Sequence, residues 1–185
     1  GRRNDGQAEV RFSWADQYLH LSYGMVYLPE GKMKSREGKV VDADELMDQM
    51  QTLSRKIMDD SHFQIELSER DHIAEAIGLG AIKYYILKFN PQKDIHFDPE
   101  KSLSFDGATG AYIQYCHARI QSVLRKGYFD PNSEWDVSLL GNVEEMEIIR
   151  CLLFLPDIIQ SAAADLNPSK VAGYILELAK AFNVF

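Results

Sequence analysis

Apolar and polar positions alternate near the start of the chain, and this pattern predicts β-strands. Val10, Phe12 and Trp14 alternate with polar neighbours, and residues 20–28 are rich in residue types that suit a pleated surface. A Pro-Glu-Gly sequence ends this run. Residues 31–38 are polar and bracketed by glycines, so we expect a loop that directly follows a strand.

A helical period replaces the alternation after residue 41. Acidic groups among residues 42–45 stand where a helix N-terminus favours them, and apolar residues then follow at helical spacing. A second helix is predicted from Ser68, where residues 68–71 have the form of a capping box. Gly78 and Gly80 lie inside this helix, where each costs up to ~1 kcal/mol relative to alanine. We therefore expect another backbone to pack closely against them.

The second half of the chain has helical patterns apart from one short hairpin. We predict the hairpin from residues 95–97 and 103–105, and a helix from about Thr109 to Lys126. Three later helices are predicted over residues 143–155, stopped by Pro156, over 157–166, and from an N-cap at Asn167 to Phe185.

Composition and cysteine usage are those of an ordinary globular protein. Hydrophobic residues make up 45% and charged residues 26% of the 185 positions, which argues against disordered, collagen-like and disulfide-framework proteins. No apolar stretch approaches the ~20 residues of a spanning helix, so we expect no membrane association. Cys116 and Cys151 lie within apolar helical patterns and are predicted to be buried free thiols. A reducing, cytoplasmic location follows as the expectation.

The net charge of −8 is unevenly distributed along the chain. Residues 32–39 hold four basic groups against one acid, and residues 115–127 hold three basic groups and no acid. Residues 42–75 and 128–166 are strongly acidic. Basic islands on an acidic body suit the binding of one anionic ligand at defined places. On charge alone, it is equally possible that these charged residues are scattered over solvent-exposed faces and bind no ligand.

The basic loop is the first candidate for chemistry. It carries Lys32, Lys34 and Arg36 together with the Ser35 hydroxyl. Mobile cations that close on a triphosphate in a phosphoryl- or nucleotidyl-transfer transition state can each contribute ~10²–10³ in rate. A solvated basic loop without a catalytic role is the alternative.

Other familiar motifs are absent from the sequence. The spacing of the glycines excludes a dinucleotide fingerprint and a Walker-type phosphate loop. The five histidines lack the spacing of metal ligands, so no bound metal or prosthetic group is predicted.

The helix over residues 109–126 is the second candidate. One side, predicted to be core, holds Ile113, Cys116, Ile120 and Val123. A stripe about a third of a turn away holds Tyr112, Tyr115, Arg119 and Lys126. Aromatic rings interleaved with cations suit single-stranded RNA, where stacking contributes ~1–3 kcal/mol per base. The alternative is that Tyr112 and Tyr115 lie at the edge of the hydrophobic core and bind no RNA.

Several segments of the chain carry a resemblance to one known family. They are residues 20–38 with 40–46, residues 78–84, the Phe97-Asp-Pro sequence, residues 103–119 and residues 174–183. The first pair resembles the strand, the KMSKS loop and the following helix in the class I catalytic domain of arginyl-tRNA synthetases. The others are similar to the stem and the helical anticodon-binding domain of that family. The similarity covers nearly the whole chain in family order.

The resemblance implies ATP-dependent attachment of arginine to its tRNA through an arginyl-adenylate. The catalytic loop residues would be Lys32, Lys34, Ser35 and Arg36. ATP would be contacted by Met25, Val26, Lys32 and Met33. The tRNA would be bound near its anticodon arm by Tyr112, Tyr115, Arg119 and Lys126. The implied partners are arginine tRNA, ATP with Mg²⁺, and L-arginine, whose binding residues would lie outside this chain.

The implied architecture is mainly α and built from parts of two domains. Residues 1–67 would be the C-terminal remnant of a Rossmann-type α/β catalytic domain, and residues 68–185 a helical anticodon-binding domain, truncated at its C-terminus, with a short β-hairpin. Ser35 stands where KMSKS has its second lysine, so Lys34 or Arg36 would supply that cation. The paired histidines of the HIGH motif are absent, so we expect no aminoacylation by the chain alone, and exposed apolar surface would favour self-association. The alternative is a non-catalytic helical module for RNA binding or protein interaction.

Overall fold

Helices dominate the part of the chain that the structure describes. The computed structural model describes residues 14, 17–29, 31–32, 42–60, 66–127, 130, 132, 134 and 136–185. The helices are α1 (Ala43–Asp60), α2 (Leu67–Leu87), α3 (Pro99–Ser102), α4 (Gly110–Lys126), α5 (Val143–Ala164) and α6 (Ser169–Val184), with a 3₁₀ turn over Val137–Leu139. The expected mainly α fold is confirmed. None of the described helices combines the length and apolar character needed to cross a membrane.

In the described part of the chain, three short strands form one sheet in the order β2-β1-β3. They span Val26–Leu28 (β1), Gly31–Lys32 (β2) and Ile95–His96 (β3). β2 runs antiparallel to β1, and β3 runs parallel to it. β1 covers only the last three residues of the strand predicted over 20–28, because its pairing with β3 begins at Val26. The alternating residues Val10 and Phe12 lie outside the described residues.

The predicted hairpin between residues 95–97 and 103–105 is wrong. Its first half is β3, which pairs with β1, and the chain then enters α3. The Asp98 carboxylate caps this helix by accepting a hydrogen bond from the Lys101 N–H at 3.1 Å, and Pro99 occupies the first helical position. The Asp-Pro pair is therefore a helix start and not a hairpin turn.

One apolar core joins the sheet to α1 and α2. Its buried members are Leu28, Leu46, Met50, Ala81, Ile82, Phe97 and Leu103. α1 lies where the sequence predicts it. α2 begins at Leu67, and its N-cap, Glu66, makes no side-chain hydrogen bond, so the predicted capping box at Ser68 is wrong because Ser68 already lies in the first turn.

Three glycines allow α2 to cross its neighbours at close range. A Cβ on Gly78 would lie 2.9 Å from the main-chain carbonyl carbon of Met50 in α1. A Cβ on Gly110 would lie 2.5 Å from the carbonyl oxygen of Gly80, and one on Gly80 would lie 2.4 Å from Nε2 of Gln114. The close packing predicted at Gly78 and Gly80 is confirmed.

The helix pair α5 and α6 differs from the sequence prediction at one proline. α5 continues through Pro156, so the two helices predicted there are one. Proline leaves the carbonyl of Leu152 without its helical donor, which normally costs ~3 kcal/mol. Both residues are exposed, so water can hydrogen-bond that carbonyl. α6 begins at Ser169 with Pro168 at its N-cap, one residue later than predicted, and Asn167 Oδ1 still accepts a hydrogen bond from the Ser169 N–H at 3.1 Å.

The two cysteines are buried free thiols, as predicted. Burial raises the pKa of the Cys116 thiol above its ordinary value. Its Sγ lies 3.7 Å from the carbonyl oxygen of Ala179, to which the thiol donates. A thiol that stays protonated serves packing between α4 and α6 rather than nucleophilic chemistry.

Candidate functional site

The two residues predicted to contact adenine, Met25 and Val26, lie at the start of β1, the central strand of the sheet. The Met25 N–H donates to Asp94 Oδ1 at 2.8 Å, and the Met25 carbonyl accepts from the Ile95 N–H at 2.8 Å. Main-chain groups of successive strand residues point to opposite edges, so those of Val26 face the β2 side. Both main-chain groups of Met25 are therefore bonded within the protein, and the contact of Val26 with adenine stays a prediction.

The basic loop continues directly from β2. The Lys32 main chain pairs with Tyr27 of β1, so the sheet fixes where the loop starts, one strand away from β3. Met33, Lys34, Ser35 and Arg36 lie outside the described residues. Their roles, like that of the Lys32 side chain, stay predictions.

A polar and aromatic cluster on β1 and β3 was not predicted from the sequence. The Tyr27 and His96 rings stack with their centroids 4.8 Å apart, and the Tyr27 hydroxyl lies 3.4 Å from Asp94 Oδ2. Strand alternation is the signal that could have found it, because Val26 and Leu28 face the core and Tyr27 must face the other way. Within the described residues, no three His, Cys, Asp or Glu side chains come together as a metal site.

The predicted RNA stripe lies on the outer side of α4. Tyr115 is 55% exposed, Arg119 and Lys126 are exposed, and Tyr112 is half-buried. α4 starts after Thr109, whose Oγ1 accepts a hydrogen bond from the Tyr112 N–H at 3.1 Å. The stripe is therefore mostly available to a ligand.

The predicted core side of α4 is buried only in part. Cys116 is buried, and Ile113 and Ile120 are half-buried. Val123 is 54% exposed, so its assignment to the core is wrong. Arg119 contacts the last turn of α6, so α6 does not cover the part of α4 that follows Arg119.

Arg119 is anchored to that last turn of α6. Its Nη1 donates to Asn183 Oδ1 at 3.2 Å and to the Asn183 carbonyl oxygen at 3.3 Å. The guanidinium carbon lies 5.9 Å from the centre of the Phe182 ring. The sequence pattern predicted a cation on this face, and the structure shows that its direction is set by a neighbouring helix.

Lys88 fixes the segment that leads into α4. Its Nζ donates to the Ala108 carbonyl at 3.1 Å and lies 4.1 Å from the centre of the Tyr85 ring. Burial lowers the pKa of Lys88 below its ordinary value. The end of α2 thereby holds the residue just before the α4 N-cap, and with it the start of the stripe.

A cavity of about 450 Å³ lies beside Tyr115, between α1, α2 and α4. Its lining includes Ser54, His72, Phe105 and Gln114. Gln114 Nε2 donates to the Ala76 carbonyl at 2.9 Å. The Ser54 hydroxyl and Gln114 Oε1 are buried and have no hydrogen-bond partner among the described residues.

Ser54→Ala is expected to stabilise the protein by about 1 kcal/mol, because a buried hydroxyl without a partner carries a desolvation penalty. Ser102→Ala is the matched control, since Ser102 is also 1% exposed but its hydroxyl donates to the Pro99 carbonyl at 2.8 Å. That substitution should destabilise the protein by about 1 kcal/mol. Urea unfolding followed by circular dichroism measures both. Equal losses in the two variants would show that the Ser54 hydroxyl is satisfied.

Two family profiles match this chain in succession. Residues 10–99 match "tRNA synthetases class I (R), catalytic domain", and residues 113–185 match "DALR anticodon binding domain". An arginine–tRNA ligase of Flavobacterium psychrophilum is 48% identical over 179 residues, and one of Treponema denticola is 43% identical over 183 residues. Each alignment covers 96% of this chain. The chain belongs to the arginyl-tRNA synthetase family.

Solved structures of the arginyl-tRNA synthetase family share the fold. The Thermus thermophilus arginyl-tRNA synthetase superposes with a TM-score of 0.78 at 31% identity, over 89% of this chain and 26% of that chain. The Plasmodium falciparum enzyme gives 0.72 at 24% identity, over 90% and 28% of the two chains. The present chain spans 30% and 31% of the length of its Flavobacterium and Treponema relatives.

Proposed function

We propose that this chain takes part in the ATP-dependent attachment of arginine to its tRNA, through an arginyl-adenylate. The observation that carries the proposal is the succession of the two profile matches along one chain. In this proposal residues 1–67 serve the catalytic side and residues 68–185 bind tRNA. The two parts share one core, since Met50 and Ala81 belong to the same cluster.

The catalytic part of the proposal concerns ATP. Lys32, Lys34, Ser35 and Arg36 close over the phosphates and stabilise charge as pyrophosphate leaves, and Met33 lies in the same loop. Val26 offers main-chain groups to adenine, and the exposed side chain of Met25 lies beside it. Mg²⁺ accompanies ATP, because phosphate oxygens are among its usual ligands.

The binding part of the proposal concerns arginine tRNA. Tyr115 offers an exposed ring for stacking, Arg119 and Lys126 offer cations, and the half-buried Tyr112 adds a second ring on the same helix. No acid lies among residues 115–127, so α4 itself places no negative charge between these cations. The proposal includes a cytoplasmic location, which suits free thiols.

A chimera tests the proposal. In the Flavobacterium psychrophilum ligase, the aligned segment is replaced by that of this chain, and arginylation of arginine tRNA is measured. We expect a rate within about tenfold of the parent enzyme, a loss of no more than about 1.4 kcal/mol of transition-state stabilisation. A folded chimera that binds tRNA but does not charge it would favour the non-catalytic RNA-binding module instead.

The 185-residue chain alone is the companion sample. We expect it to bind arginine tRNA with an affinity that falls as salt rises, and to show no tRNA-dependent ATP–pyrophosphate exchange. Light scattering on the same sample reports self-association, which we propose because α5 exposes Leu152, Leu153 and Phe154 at 51%, 73% and 49%. Exchange by the chain alone would overturn the assignment of the chain as one part of the site.

A further inference from the structure

Among the residues that the structure describes, hydrogen-bond partners hold the Arg119 guanidinium on one of its nitrogens only. Both of its hydrogen bonds are made by Nη1, and both acceptors belong to Asn183. The Phe182 ring, 5.9 Å away, lies next to the same group. Two side chains from the end of α6 thus limit the directions in which a residue of α4 can point.

This arrangement leaves a specific edge of the guanidinium available. An arginine has five N–H donors in a planar fork, of which Nη1 carries two. Within the described residues, no hydrogen bond involves Nε or Nη2 of Arg119, and the residue is exposed. The Nε–Nη2 edge is one that binds two oxygens of a phosphate or carboxylate at once.

We propose that Asn183 is a positioning residue, which turns the Nε–Nη2 edge of Arg119 outward so that it binds two oxygens of one RNA phosphodiester. This inference rests on the proposed function, because the RNA is the arginine tRNA assigned there. Asn183 itself does not touch the RNA. Its contribution is to hold the fork in the binding direction before the RNA arrives, which removes an ordering cost from binding.

Asn183 also has a structural role that must be separated from positioning. Its carbonyl belongs to the last turn of α6, where main-chain acceptors lack helical donors, and Arg119 supplies one. A substitution at Asn183 removes only the side-chain acceptor and leaves the carbonyl in place. The side-chain effect on RNA binding should then exist only while Arg119 is present.

A double-mutant cycle on the 185-residue chain tests this dependence. Fluorescence anisotropy with a labelled transcript of arginine tRNA gives the affinity of the wild type, Arg119→Ala, Asn183→Ala and the double variant. We expect Arg119→Ala to weaken binding about tenfold or more, and Asn183→Ala about three- to fivefold. In the Arg119→Ala background, Asn183→Ala should change affinity by less than about 1.5-fold.

The salt dependence reports whether the Arg119 charge meets a phosphate of the RNA. Asn183→Asp keeps the acceptor but neutralises the cation, so the slope of log affinity against log salt should fall by about one phosphate contact, ~0.7–0.9. Asn183→Ala keeps the charge and should keep the slope. Val184→Ala is the matched control, since Val184 is the 75% exposed neighbour in the same turn, and its affinity should equal that of the wild type.

The outcomes separate the two proposals. If the wild type does not bind arginine tRNA, both are overturned. If Arg119→Ala binds as the wild type does, Arg119 has no part in the RNA surface and the positioning inference fails with it. If Asn183→Ala weakens binding equally in both Arg119 backgrounds, Asn183 does not act through Arg119, and the proposed function stands without the inference.

Discussion

Gly110→Ala is expected to destabilise the protein by about 3 kcal/mol, because the new methyl group would overlap main-chain atoms. The added Cβ would lie 2.5 Å from the Gly80 carbonyl oxygen, 2.8 Å from its carbon and 3.1 Å from the Ala81 Cα. A flexible side chain could move away, but these atoms belong to the middle of α2. The only relief is a shift of α4 away from α2.

Gly173→Ala is the matched control for this loss. Gly173 lies inside α6, and an added Cβ would meet nothing within 4 Å. This substitution should stabilise the protein by about 0.5–1 kcal/mol through helix propensity alone. Urea unfolding followed by circular dichroism measures both variants. Changes of the same sign would show that α2 and α4 do not cross as closely as described.

The crossing at Gly110 also determines where the proposed RNA surface lies. α4 carries Tyr115 and Arg119, and its distance from α2 is set by Gly80 and Gly110. A shift of α4 would disturb the contact between Arg119 and Asn183, since α6 packs against the same helix. We therefore expect Gly110→Ala to weaken tRNA binding as well, in any fraction of the protein that remains folded.

The parts of the fold that could be predicted from sequence depend on neighbouring residues. The start of α1, the N-cap of α4 and the cap at Asn167 are local signals, and each lies within a residue or two of its predicted place. The cost of Gly78 and Gly80 inside a helix was informative for the same reason. A local penalty pointed to a compensating contact, although it did not show which helix supplies it.

The errors arise where distant residues decide the structure. The hairpin prediction failed because the partner of β3 is β1, which the pattern around residues 95–105 does not contain. The anchoring of Arg119 by Asn183 joins positions 64 residues apart, so helical periodicity in α4 could show a cation on a face but not its direction. The break predicted at Pro156 failed because exposed carbonyls can bond to water, which a sequence rule for proline does not consider.

The second large effect concerns the basic loop and is measured by ATP–pyrophosphate exchange in the chimera. Arg36→Ala is expected to lower the rate by about 10²-fold or more, and Lys34→Ala by less than about tenfold. In the resemblance to the KMSKS loop, Ser35 stands at the position of the second lysine, and we propose that one of its neighbours supplies that charge. Arginine is the better candidate, since its planar fork binds two phosphate oxygens at once while lysine acts as a point charge.

In this experiment, Arg36→Lys separates the effect of the guanidinium geometry from the effect of its positive charge. It keeps the cation and loses the bidentate geometry, so we expect a rate between those of wild type and Arg36→Ala. Lys32→Ala should resemble Arg36→Ala, because Lys32 keeps the first lysine position of the motif. The affinity for arginine tRNA should be unchanged in all four variants, since the loop is assigned to ATP. If Arg36→Lys matches the wild type and Lys34→Ala is as slow as Arg36→Ala, the loop acts through its total charge and both cations contribute equally.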